Sequence, residues 1–142
     1  MKKILSIACL ALIVVALASC KKTYVTNVVP NQTWISSPVQ VTDWALTTDG
    51  KAYAYDLKIP THDFFNDDDA TIAELSFDTG TNRTYEPMPY VYNSVSFSYT
   101  HYIGTDGFPH IIIYSQLAGS GAASKPVDPV IVKLVLIPSI VQ

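Results

Sequence analysis

From Lys51 to Ile59 the side chains alternate, with Tyr53, Tyr55, Leu57 and Ile59 at one set of positions and Ala54, Asp56 and Lys58 at the other. A period of two puts these sets on opposite faces of an extended strand. Val95, Phe97, Tyr99, His101 and Ile103 repeat the pattern, with Ser94, Ser96, Ser98 and Thr100 facing outward. Two other runs are nearly apolar throughout: Ile111 to Tyr114, and Val130 to Ile137 broken only by Lys133. Runs of that kind predict central strands covered on both faces. Trp34 to Val41 and Val41 to Thr47 are further strand candidates, and Pro38 marks the first as an edge strand or a bulge. Tyr24 to Val29 reads as a first strand within the stretch that leads into these elements.

Turn residues separate the runs. Thr-Asp-Gly occurs twice, at Thr48-Asp49-Gly50 and at Thr105-Asp106-Gly107, each time between alternating segments. A three-residue hairpin loop needs a left-handed third residue, which glycine supplies without steric cost, so two hairpins are expected. Asp78 to Asn82 is a looser turn, and Ala118 to Pro129 a long Gly/Ser/Pro loop that carries the chain between sheets. Thr71-Ile72-Ala73-Glu74 matches a capping box and would start a helix. Gly80 would end that helix after barely two turns, and the neighbours favour a strand over Thr71 to Phe77. Short alternating segments broken by turns predict an all-β fold, a two-layer antiparallel β-sandwich of seven to nine strands. The sandwich is loosely immunoglobulin-like. It lacks the inter-sheet cysteine pair of antibody domains.

The first twenty residues follow a different pattern. Met1-Lys2-Lys3 is followed by an apolar run from Ile4 to Ala18, interrupted only by Ser6 and Cys9. A membrane-spanning helix needs about 20 apolar residues, so this run is short for a span and of ordinary length for a cleaved export signal. It closes on Leu17-Ala18-Ser19-Cys20. In this segment the chain resembles the bacterial lipoproteins. The resemblance covers residues 1–20 only, and it implies cleavage before Cys20, a diacylglycerol thioether on its sulfur and an acyl group on its new amine. Two or more acyl chains anchor a protein stably where one binds marginally. The chain also resembles small lipoproteins of Gram-negative gut-type anaerobes, whose surface-exported members carry acidic residues after the cysteine. Lys21 and Lys22 stand there instead, which points to an outer-membrane anchor facing the periplasm, with surface display as the alternative.

This reading divides the chain into a cleaved signal at 1–19, a lipidated N-terminus and tether at 20–31 and a sandwich domain at 32–142. The mature chain keeps seven basic against twelve acidic residues, a net charge of −5. That balance argues against nucleic acid as a partner, which needs a basic face. Cys9 leaves with the signal and Cys20 carries lipid, so no disulfide is expected in the domain. Its stability falls to packing, with nine Tyr, five Phe and two Trp to supply the area.

Candidate chemistry is sparse. Asn66-Asp67-Asp68-Asp69, with Asp63 and Glu74 nearby, offers clustered oxygens for calcium but lacks the alternate spacing and sixth-position glycine of an EF-hand loop. A solvated acidic loop is the simpler reading. His101 and His110 flank the second Thr-Asp-Gly turn. A three-residue loop sends their imidazoles to opposite faces, and a two- or four-residue loop puts them on one face, where they could share a metal. His62 is the only other histidine, so no metal ligand set is assigned. There is no Gly-x-Ser-x-Gly elbow and no glycine-rich phosphate loop, and no cofactor is expected.

The best binding candidates are Tyr85, Tyr90 and Tyr92 in the Pro/Tyr-rich stretch 85–92, with Trp34 and Trp44. Rings held beside proline make a low-entropy platform for a sugar or a protein, unless they fill the core. The leading expectation is a membrane-anchored envelope lipoprotein, a non-enzymatic binding or structural module for a protein or glycan partner. The alternative is a metal-binding protein or metal-assisted hydrolase using the acidic loop 63–69 and the histidines.

Overall fold

The computed structural model describes residues 31–61 and 69–139. Cys20, the expected strand Tyr24 to Val29, His62 and most of the acidic stretch lie outside the described residues. Within them the chain forms nine strands. These are β1 (Gln32–Ile35), β2 (Ala45–Leu46), β3 (Tyr53–Lys58), β4 (Ala70–Ser76), β5 (Glu86–Pro87), β6 (Tyr90–Tyr92), β7 (Val95–Ile103), β8 (Pro109–Leu117) and β9 (Ile131–Ile137). One sheet has the order β1-β9-β4-β5 and the other β2-β3-β8-β7-β6. Every pairing is antiparallel, and the two sheets pack face to face as the expected sandwich.

The core takes Leu57 and Ile59 and then Val95 and Phe97 from the two alternating segments, while His101, on the same marked face of β7, is exposed. Leu57, Ile59, Ile111, Ile113, Val95 and Phe97 come from one sheet, and Ala73, Leu75, Val132, Leu134 and Leu136 from the other. Each large side chain buried in this way contributes about 1.5–3 kcal/mol. Trp44 is also buried, edge-on to Phe97 at 6.2 Å and tilted against Tyr55 at 6.3 Å.

The apolar runs of β8 and β9 do occupy central positions. Their second faces are less covered than expected. Ile112, Tyr114, Lys133 and Val135 are half-buried. On that outer face of β9, Lys133 pairs with Glu74 across the β4–β9 ladder at 2.6 Å.

Three local expectations need correction. Val41 to Thr47 is mostly not a strand. Val41–Asp43 is a 3₁₀ turn, closed by the Asp43 N–H on the Gln40 carbonyl (3.0 Å) and by the Gln40 N–H on Asp43 Oδ2 (2.9 Å), and only Ala45–Leu46 pairs. Local side-chain bonding of this kind competes with the ladder. Ser94 belongs to a turn rather than to a strand face, with φ of 64° beside Asn93 at 47°. The first Thr-Asp-Gly hairpin closes on Thr47 and Ala52 (N···O 2.9 Å), leaving four residues in the loop. The second has the expected three, with Gly104 bonded to Phe108 at 2.8 Å.

Elsewhere the local reading agrees with the structure. Residues 71–76 are in strand β4, and the 118–129 loop passes from one sheet to the other; the Trp34 to Val41 candidate is an edge strand as expected, but it spans Gln32–Ile35 and stops before Pro38. Past Pro38 the chain rejoins β9's line through a bridge between Val39 and Val130.

Candidate ligand-binding cleft

The stretch 85–92 is not a free loop. Glu86 and Pro87 pair with Leu75 and Glu74 at the edge of one sheet, and Tyr90 to Tyr92 pair with Phe97 to Val95 at the edge of the other. Between them the Met88 N–H bonds to the Ala73 carbonyl at 2.9 Å, the Met88 side chain is buried and the Met88–Pro89 bond is cis. The chain therefore switches sheets within a few residues and closes one side of the sandwich. Tyr90 and Tyr92 lie opposite Phe97 and Val95, both buried, so the two tyrosines face inward while Val91 between them is exposed.

Phe77 leaves the end of β4 on the inward side. The Ser76 hydroxyl holds the turn beyond it, donating to the Asp78 carbonyl (3.0 Å) and accepting the Asp78 N–H (3.2 Å). Asp78 Oδ1 then accepts the Gly80 N–H at 2.7 Å. Phe77 stacks on Tyr92 with centroids 3.9 Å apart and lies 6.4 Å from Tyr90 and 5.5 Å from Phe97. These rings open onto a cleft of about 290 Å³ lined by Phe77, Asp78, Thr84, Glu86, Tyr90 and Tyr92. It carries two carboxylates, and among the described residues neither Asp78 nor Glu86 takes part in an ion pair.

The cleft has a definite place along the sandwich. Gln32, the first residue of β1, lies opposite Leu136, which also pairs with Thr71 near the start of β4. The cleft lies beyond Ser76, at the other end of β4. A strand of that length spans about 20 Å. The sheets keep this alignment, because the Tyr99 hydroxyl donates to the Thr71 carbonyl near one end and Phe77 touches Tyr92 and Phe97 at the other.

Of the aromatic candidates, Tyr90 and Tyr92 converge here and the others do not. Tyr85 lies on the outer face, with Lys133 Nζ 5.1 Å from its ring centroid. Trp44 is core. Trp34 lines a separate groove of about 360 Å³ with Tyr55, Pro38, Leu57 and Pro60, on the opposite edge of the sandwich. Phe77 and Glu86 are members of the cleft that the sequence reading did not select. Their signal lay in the ladder partners of Leu75, which become visible only once β4 and β5 are registered.

The histidines are resolved by register. His101 lies opposite Ile111 and His110 opposite Tyr102, so the three-residue loop sends the imidazoles to opposite faces. Among the described residues no group of three His, Cys, Asp or Glu side chains is placed to hold a metal ion. Asp69 accepts from the Ser139 N–H (2.8 Å) and hydroxyl (3.2 Å), acting as a local brace.

A polar cluster surrounds His110 on the outer face, also unselected in the sequence. Its Nδ1 is 2.9 Å from Asp56 Oδ1, and Asp56 Oδ2 accepts the Tyr102 hydroxyl at 2.9 Å. Its Nε2 is 3.5 Å from Asp106 Oδ1, while Lys58 bonds Asp106 Oδ2 at 2.7 Å and lies 3.8 Å from the Phe108 ring centroid. The Lys58 hydrogen bond, then the Phe108 N–H, hold the Asp106 carboxyl down at about 2. Partial burial, then the hydrogen bond to Asp56, push the Tyr102 hydroxyl up. The cluster ties β3, β7 and β8 together through Asp56, Tyr102 and His110.

Comparison with protein-family models, curated proteins and solved structures gave no match.

Proposed function

We propose that this chain is a lipid-anchored envelope protein whose β-sandwich is a non-enzymatic binding module, with the aromatic cleft as its contact surface. One observation carries the reading: the cleft lies at the end of the sandwich remote from the start of β1, into which the tether leads. An anchor on Cys20 would hold the near end toward the membrane and present Phe77, Tyr90 and Tyr92 away from it. The tether of residues 20–31 reaches at most about 40 Å when extended. Concave sites with apolar walls and a few convergent polar groups are the usual places for ligands. The rings are fixed by ladder pairing and stacking, so little ordering entropy opposes binding.

The test is a screen of the purified lipidated protein on glycan and peptide arrays, run beside Tyr90→Ala. Tyr90 is only half-buried and sits at a sheet edge, so the variant should fold. The expected result is a ligand class retained by the parent and lost by the variant. Ligands retained equally by both proteins would reject the cleft as the contact surface.

A further inference from the structure

We infer that the cleft receives a lysine or arginine side chain from an extended basic segment of a partner protein. The inference rests on the binding-module reading above and names the occupant of that same cleft. Three observations carry it. First, the walls pair aromatic rings with the carboxylates of Asp78 and Glu86. A cation is attracted both by ring faces and by carboxylates, so an ammonium or guanidinium matches the chemistry of this lining. An apolar occupant would strip water from two carboxylates without replacing it, which is costly.

Second, the cleft's charge is not already spent. Arg83, in the same loop, directs its guanidinium to the Thr79 carbonyl at 3.5 Å, and among the described residues no cation pairs with Asp78 or Glu86. The acidic excess of the mature chain acts in the same direction and steers a basic partner inward.

Third, β6 is the outermost strand of its sheet. Its outer edge has no ladder partner among the described residues, so an extended segment can add there by main-chain hydrogen bonds. Alternate side chains of that segment would then point toward the cleft side of β6, where Tyr90 and Tyr92 stand. This favours a peptide over a small free amine.

The experiment titrates the full lipidated protein in detergent with an acetylated, amidated tetra-arginine peptide. Comparison ligands are the matching tetra-citrulline peptide, spermine and a neutral cello-oligosaccharide. The expected result is binding of the arginine peptide well above the citrulline peptide and spermine. Glu86→Gln should weaken it about tenfold, and Asp106→Asn, an equal charge change at the far end of the sandwich, should leave it unchanged. Equal loss in both variants would reduce the effect to net charge and overturn the inference. So would spermine binding as tightly as the peptide, or no peptide binding at all. A cello-oligosaccharide bound by the parent, lost in Tyr90→Ala and indifferent to Glu86→Gln would overturn this inference and leave the binding-module reading standing.

Discussion

Asp106 shows how much of the local structure hangs on single side chains. Its carboxylate accepts from Lys58 and from the Phe108 N–H, and these bonds hold its pKa near 2 against an ordinary 3.8. A carboxyl depressed in the folded state stabilises it above the unfolded value. That contribution is therefore complete above about pH 4 and fades as pH falls toward 2. The carboxyl carbon of Asp106, followed by NMR against pH, should titrate near 2, and Lys58→Met should move the midpoint toward 3.8. An unchanged midpoint in the variant would remove Lys58 as the cause. Gly104 sits against the same group. A β-carbon there would lie 2.6 Å from Asp106 Oδ1 and 2.9 Å from two atoms of the His110 ring. The carboxylate is held by the Phe108 N–H and Lys58, and the ring by Asp56. Gly104→Ala should therefore cost about 1–3 kcal/mol in urea unfolding, the usual range for overpacking. At Gly80 the only close neighbour is the Asp78 carboxyl, so Gly80→Ala should cost less than Gly104→Ala.

At the level of elements, hairpin geometry decides which faces meet. Asn93 and Ser94 connect β6 to β7 in a two-residue turn with both φ values positive, the form that matches the twist of adjacent strands. Serine is strained there where glycine is not. Ser94→Gly should raise the unfolding free energy by about 0.5–1 kcal/mol, seen as a higher urea midpoint at unchanged slope, and a lower midpoint would contradict the turn assignment. This turn also marks the limit of what was legible beforehand. Period-two alternation gave β3, β7 and the core face of their sheet, and the second Thr-Asp-Gly gave the register that separates His101 from His110. Alternation does not report long-range partners. Nothing local told that β4 would pair with residues 86–87, so Phe77 and Glu86 were invisible as neighbours of Tyr90. The same limit hid the His110 cluster, whose members Asp56, Lys58, Tyr102 and Asp106 come from separate parts of the chain. Ser94 continues an outward serine series and hydropathy alone makes it strand, because the positive φ of a turn leaves no trace there.

For the whole molecule, orientation follows from where the chain enters and where the cleft opens. β1 begins at one end of the sandwich, and the three rings gather at the other. If Cys20 carries acyl chains, Lys21 and Lys22 sit at the lipid surface, where each contributes about 1 kcal/mol on an anionic leaflet. The rest of the mature chain is acidic and is held off that surface. The anchor, rather than surface charge, must then account for membrane association. Cys20→Ala removes the thiol that the lipid would occupy and leaves both lysines in place. Fractionation should find the parent in the membrane pellet, resistant to high salt, and the variant either soluble or retained with its signal uncleaved. Mass spectrometry of the parent should show a diacylglycerol thioether and an amide-linked acyl chain on Cys20. A variant still cleaved after Ser19 and still pelleting with membranes would refute the anchor, because the two lysines alone supply an attraction that salt screens.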